Sequence, residues 1–176
     1  MSAAWRDLII DVPDFPKPGI VFKDITPLLA SPNGLAAATQ AMIEASPRDI
    51  DVVVGMEARG FIFAAPIALA LGAGFAPVRK PGKLPRPVVS AAYELEYGSE
   101  TLALHADAIT PGDRVLVVDD VLATGGTIAA TAELVRQLGG ELVHITVLME
   151  LAFLHGRERL ASAGVDTVTA LLSVEA

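Results

Sequence analysis

Apolar residues fall into short unbroken runs bounded by glycine, proline and charge, and these alternate with stretches of helical period. Ile50–Gly55, Val115–Val118, Leu142–Leu151 and Val165–Val174 are dominated by β-branched and aliphatic residues on consecutive positions. That pattern predicts strands buried on both faces of a parallel sheet. Between them, Ile128, Ala132, Val135 and Leu138 recur on one helical face, predicting a helix over 127–138 that Gly139-Gly140 stops. Ser31 or Asn33 is placed to cap a helix running to about Ser46. The uncharged run Phe61–Val78 approaches the length of a membrane span, but Pro66, Gly72 and Gly74 break it. It divides better into a helix (Phe61–Leu71) and a strand (Phe75–Val78). Gly156–Leu160 reads as a polar helical turn.

Two segments break the alternation. Val88–His105 alternates on both sides of Tyr97-Gly98-Ser99, with Val88, Ser90 and Ala92 on one arm and Thr101, Ala103 and His105 on the other. This predicts a long hairpin projecting from the sheet, marginal by itself and suited to a movable lid. At the N-terminus, residues 3–10 predict a short amphipathic helix with Trp5, Leu8 and Ile9 inward. Asp11–Gly19 is too proline-rich for regular structure, Ile20–Ile25 is extended, and Thr26-Pro27 starts a turn. The whole predicts one α/β domain over 1–176: an open, mostly parallel sheet flanked by helices, with a hairpin lid and an N-terminal hood.

Composition narrows the function. The chain has no cysteine, which makes a reducing cytoplasm the expected setting, and no signal peptide is read at Met1–Asp7. A formal net charge of -8 argues against general affinity for nucleic acid or anionic membrane, so any anion must be held by local devices.

Such devices stand at the ends of the predicted strands. After Val118 come Asp119 and Asp120, then Ala123, Thr124, Gly125, Gly126 and Thr127 at a helix start. Backbone N–H groups of such a loop, with the helix dipole behind them, cradle a phosphate. Gly125 and Gly126 remove Cβ atoms that would hold a phosphate off, and the two threonines add hydroxyl donors. Carboxylates beside a phosphate repel it, so Asp119 and Asp120 must face another part of the ligand. A ribose diol fits, because its hydroxyls donate and an ionised carboxylate only accepts. The plainer alternative is a strand–helix turn with capping acids. No lysine follows the glycines, so the loop is not a Walker A motif.

A second strand-to-helix turn, Gly55-Met-Glu-Ala-Arg-Gly-Phe61, brings Arg59, a planar cation able to grip two pyrophosphate oxygens. Taken alone, an arginine after a strand is more often a solvated surface charge. Arg79-Lys-Pro-Gly-Lys-Leu-Pro-Arg86 is the densest basic run, either a solubilising loop or a phosphate contact. The three histidines are scattered without metal-site spacing, and His105 and His144 read as packed residues.

The string of Asp119-Asp120 and Ala123–Thr127 resembles the phosphoribosyl pyrophosphate (PRPP) motif of type I phosphoribosyltransferases. Glu57-Ala-Arg-Gly-Phe61 matches their pyrophosphate loop. Phe15-Pro-Lys-Pro-Gly-Ile-Val-Phe-Lys-Asp-Ile-Thr-Pro-Leu-Leu29 and Ser90–Gly98 are similar to the hood and lid of the adenine-using members. The resemblance implies transfer of the 5-phosphoribosyl group from PRPP to adenine, giving AMP and pyrophosphate, with Mg²⁺ held mainly by PRPP and no protein cage. It implies that Asp119 and Asp120 hold the diol and Ala123–Thr127 the 5′-phosphate. Pyrophosphate falls to Glu57, Ala58, Arg59, Arg79, Lys80 and Lys83, and the base to Val21, Phe22, Lys23 and Leu151. Catalysis falls to Arg59 and to Glu96, which pairs with Tyr97 in the lid, and a non-proline cis peptide is implied near Glu57–Ala58. A homodimer is implied, with basic residues reaching pyrophosphate across its interface in some members. The rivals are a phosphoribosyltransferase for another purine and a PRPP-sensing regulator on the same fold, although no DNA-binding module or basic RNA face is visible.

Overall fold

Consecutive aliphatic residues build a central parallel sheet in the order β4-β3-β7-β8-β9. Its strands are β3 (Val52–Met56), β4 (Gly74–Val78), β7 (Arg114–Leu122), β8 (Glu141–Leu151) and β9 (Val168–Val174). The computed structural model describes residues 5–94 and 98–175. They fall into two units, residues 1–41 and 42–176.

In the second unit the unbroken run of β7 is sandwiched as its sequence predicts. Val115, Leu116, Val117 and Val118 are all fully buried, with Val115 and Val117 in the main core and the alternate residues facing away from it. That core also takes Val54, Val78, Ile145 and Val147 from the sheet and Leu134 and Val135 from α4 (Gly126–Gln137). Helix α3 (Gly60–Leu71) buries Phe63, Ala64 and Ile67 completely. The chain leaves β3 through α3 for β4 on one side, and leaves β7 through α4 for β8 on the other. The strand order therefore reverses between β3 and β7, and a crevice opens at such a switch point, beyond the carboxyl ends of the strands.

β5 (Val88–Glu94) and β6 (Ser99–His105) form the expected hairpin, pairing Val88 with His105, Ser90 with Ala103 and Ala92 with Thr101. Its stem does not stand free. Ala91, Leu102 and Leu104 are buried in the main core, so hydrophobic packing holds what two strands alone would not. His144 is half-buried and bonded to Thr169 through Nε2 at 2.9 Å, whereas Nε2 of His105 is buried without a partner among the described residues.

The first unit departs from the sequence expectation. The helix expected over 3–10 reduces to one 3-10 turn at Arg6–Leu8, with Trp5 buried; Met1–Ala4 lie outside the described residues. The proline-rich stretch is partly a strand: β1 (Ile10–Pro13) pairs antiparallel with β2 (Val21–Asp24). Pro13 is tolerated because it ends an edge strand, where its missing N–H breaks no ladder. Thr26–Ala30 is a short helix, α1, where a turn is expected; Pro27 suits its first turn and needs no donor there. Helix α2 (Pro32–Ala45) follows, and Ser31 caps it, its Oγ accepting from the N–H of Gly34 at 3.1 Å.

Candidate active site

The acids of β7 do not end their strand. Asp119 pairs with Val147 of β8 and Val121 with Met149, and the ladder runs on to Leu122. Both carboxylates are thus fixed by a hydrogen-bonded backbone, a stiffer mount than a loop. Oδ1 of Asp119 accepts from the N–H of Asp120 at 2.9 Å. Gly60, the first residue of α3, leaves room for that carboxylate, since a Cβ there would lie 2.8 Å from the same oxygen. The glycine after Arg59 is therefore a packing requirement of the acid pair, linking two motifs 60 residues apart.

Asp120 is buried and its Oδ2 lies 2.7 Å from Nε of Arg59. The residues that the resemblance assigns to different parts of one ligand, the pyrophosphate and the ribose, bridge each other directly. Burial, and then the neighbouring Asp120, push the Asp119 carboxyl well above the usual range. Burial also raises Asp120, and the Arg59 guanidinium opposes it.

Around this bridge lies a cavity of about 370 Å³. The loop Glu57–Arg59 forms one side and Asp119, Asp120 and the turn through Ala123, Thr124, Gly125 and Thr127 form the other. The peptide bond between Glu57 and Ala58 is cis, as the resemblance implies. Glu57 is held on three sides. Its N–H donates to Val78 O, while Nε of Arg79 and Nζ of Lys83 reach its two oxygens at 3.0 and 2.9 Å. Burial works to raise its pKa, but the bonds from Lys83 and Arg79 prevail and hold it below the usual value. Beside Arg59 of the loop itself, two of the three pyrophosphate cations expected from the basic run thus converge on it. The third, Lys80, turns instead to Glu100 on the hairpin, at 3.1 Å.

The glycines of the phosphate turn serve packing as well. Gly125 has φ +81°, and a Cβ there would meet the carbonyl of Gly156 at 2.7 Å. At Gly126 a Cβ would fall 2.9 Å from the Tyr93 ring and 3.2 Å from the Arg159 guanidinium. Their missing side chains admit a neighbouring helix, α5 (Gly156–Ser162), and the hairpin stem to the turn. These contacts call for glycine independently of any phosphate.

A second cavity of about 190 Å³ shares Leu122 with the first and is lined by Leu151 and Ala152, with Glu150 and Arg157 paired at its edge at 2.5 Å. Of the expected base-binding residues only Leu151 stands here. Val21, Phe22 and Lys23 belong to the first unit: Val21 is exposed, Phe22 meets Phe15 edge-on at 5.2 Å, and Lys23 pairs with Asp11 at 2.7 Å. Among the described residues β2 pairs with a strand along one edge only. Glu96 and Tyr97 lie outside the described residues. Sequence reasoning did not find Tyr93, Glu100 and Arg159. Arg157-Glu-Arg159 read there only as polar helix, and nothing local marks a residue that the fold carries to a distant loop.

Comparison with known proteins agrees with this geometry. Residues 24–169 match the family model for the phosphoribosyl transferase domain. An adenine phosphoribosyltransferase of Cutibacterium acnes is 64% identical over 167 residues, 95% of this chain and 94% of that one. The crystal structure of adenine phosphoribosyltransferase from Thermoanaerobacter pseudethanolicus superposes with a TM-score of 0.93 at 47% identity, covering 99% of this chain and 100% of that one. The Saccharomyces cerevisiae enzyme, complexed with an imino-altritol bisphosphate and adenine, gives 0.89 at 42% identity over 97% of this chain and 98% of that one. With a parallel sheet, a switch-point cavity and an acid pair before a phosphate turn, the chain belongs to the phosphoribosyltransferase family, among its adenine phosphoribosyltransferases.

Proposed function

We propose that this chain transfers the 5-phosphoribosyl group of PRPP to adenine, releasing pyrophosphate and forming AMP, a purine-salvage reaction. The observation that carries the reading is the convergence of Glu57–Arg59, Asp119-Asp120 and Ala123, Thr124, Gly125 and Thr127 on one cavity. Each holds a different part of PRPP. Backbone N–H groups of the turn and the hydroxyls of Thr124 and Thr127 take the 5′-phosphate. The acid pair takes the 2′- and 3′-hydroxyls, and Arg59 takes the pyrophosphate together with Arg79, Lys80 and Lys83. Leu151 and the apolar floor of the second cavity offer a surface for the base, and Val21, Phe22 and Lys23 are the base contacts expected of the first unit. In the reaction the bond from the anomeric carbon to the pyrophosphate oxygen breaks, that carbon bonds N9 of adenine, and N9 loses its proton.

The family implies Mg²⁺. Asp119 and Asp120 are oxygen donors of the kind it takes, but no group of three acids or histidines able to hold a metal stands among the described residues. The fit is to an ion carried mostly by PRPP oxygens and water, which neutralises pyrophosphate charge when bound. We further propose a homodimer in the cytoplasm. Ile62, Leu69 and Phe75 are exposed on α3 and the edge strand β4, an apolar area for a second copy to cover. No helix of the described residues is long and apolar enough to cross a membrane.

On this reading Arg59 and Asp120, bridged at 2.7 Å, serve different groups of PRPP, and each carries its own prediction. Arg59→Ala weakens use of PRPP and of pyrophosphate far more than it weakens AMP, which has no pyrophosphate for Arg59 to hold. Equal losses for PRPP and AMP in direct titrations would reduce Arg59 to a structural partner of Asp120.

Asp119→Asn keeps the shape and the bond to the Asp120 N–H but loses charge-assisted acceptance from the diol. PRPP use falls by about 1.5–3 kcal/mol per bond lost, and Asp120→Asn behaves alike. Ligand-free stability moves the other way. A carboxyl whose folded pKa is raised contributes fully below the ordinary Asp range and loses that contribution as pH rises through its folded value. At neutral pH Asp119→Asn therefore melts higher than the native protein, by roughly 2–4 °C if about 1 kcal/mol is relieved. Melting without ligand across pH 4 to 8, with PRPP kinetics on the same samples, checks both; unchanged PRPP constants would remove the ribose assignment.

A further inference from the structure

The phosphate turn is gripped from outside the cavity by two residues that no motif contains. The space that a Cβ on Gly126 would take is filled by the ring of Tyr93 on β5 and the guanidinium of Arg159 on α5. Arg159 is half-buried, and its Nη2 donates to the carbonyl of Glu94 at 2.9 Å, so one planar cation touches both the turn and the end of the β5 arm. Tyr93 completes the grip. Its hydroxyl donates to Glu100 at 2.7 Å and accepts from Thr127 at 3.5 Å, while Lys80 donates to the other Glu100 oxygen. The first two residues of α4, Gly126 and Thr127, are thereby tied to the hairpin stem and to α5.

We propose that Arg159 and Tyr93 are positioning residues for the 5′-phosphate, a clamp that holds the Gly126–Thr127 backbone in its phosphate-accepting form before ligand arrives. The proposal rests on the assignment of that turn to the 5′-phosphate. Neither residue lines the cavity, so their effect passes through Gly126 and Thr127. A turn that must order itself on binding loses affinity, whereas a turn held in advance does not. The clamp accounts for two otherwise separate facts: Gly126 is the one member of the turn from Ala123 to Thr127 that does not face the cavity, and Lys80 departs from the other cations toward Glu100.

The test uses the whole chain with Arg159→Met and, independently, Tyr93→Leu, each of which removes one of the two side chains packed at Gly126. AMP and adenosine are titrated against each by calorimetry, and kcat and KM for PRPP are measured. The clamp predicts that AMP affinity falls roughly tenfold in each variant, the scale of one lost hydrogen bond with its packing. KM for PRPP rises in parallel, while adenosine affinity and kcat stay within about threefold, a spread worth well under 1 kcal/mol. Unchanged AMP affinity overturns the proposal. So does equal weakening of AMP and adenosine, or loss of the folded state in both variants, either of which makes the pair purely structural. If the native protein shows no preference for AMP over adenosine, the assignment of the turn itself fails, an outcome visible before any variant is made.

Discussion

Glu96→Gln is expected to lower kcat by about 10²–10⁴ while PRPP binding stays nearly unchanged, the span of general acid–base assistance. N9 of adenine must shed its proton as it bonds the ribosyl carbon, and in the reverse direction the departing base is helped by gaining one. A carboxylate brought beside the base accepts that proton through an imidazole-edge nitrogen, or stabilises the protonated base by its charge. Exclusion of water weakens its solvation and raises its pKa toward a useful range. Glu94 is the natural control: two residues away, at the end of β5, with an exposed side chain. What ties Glu94 to the protein is its carbonyl, which accepts from Arg159, and Glu94→Gln leaves that intact. The two variants are compared at saturating substrates. A large loss in Glu96→Gln beside a mild one in Glu94→Gln supports the proton role. Matching behaviour would leave catalysis to positioning and charge stabilisation alone.

Much of this architecture is legible in the chain because its signals are local. A strand buried on both faces must be apolar at every position, so Val115–Val118 and Val53-Val54 declare the centre of the sheet. The hairpin arms alternate, and their residues pair as the alternation requires, Val88 with His105 and Ala92 with Thr101. Local signals also mislead. Asp119 and Asp120 look like a strand end because charge seldom continues a buried strand, yet β7 carries both to Leu122, its ladder to β8 intact. Prolines at Asp11–Gly19 conceal β1, since their cost in a sheet vanishes at the end of an edge strand.

The site divides along the same line. Residues supplied by one contiguous turn, such as Ala123, Thr124, Gly125 and Thr127, are readable as a phosphate device and do converge on the cavity. Contacts made across the fold are not readable. The need for Gly60 comes from Asp119, and that for Gly126 from Tyr93 and Arg159. The Arg59–Asp120 bridge follows from β3 and β7 lying side by side at the switch point, and only the strand order reveals it.

Selection of the base carries the largest expected effect. Adenine presents a donor at its 6-amino group and an acceptor at the adjacent ring nitrogen, while hypoxanthine presents an acceptor and a donor in those places. Backbone amides and carbonyls cannot exchange roles as a rotating hydroxyl can. A β2 edge set to read adenine therefore leaves groups unpaired against hypoxanthine, and such mismatches reach factors of about 10⁴–10⁵ in kcat/KM. Apolar contact is common to both purines, so on the proposed reading the discrimination rests on the polar edge. The most direct measurement incubates the protein with PRPP, Mg²⁺ and each nucleobase in turn, following nucleotide and pyrophosphate together. AMP and pyrophosphate formed one for one from adenine, with hypoxanthine and guanine slower by about four orders of magnitude, is the predicted result. Comparable turnover of hypoxanthine, or PRPP bound without transfer to any base, would contradict it.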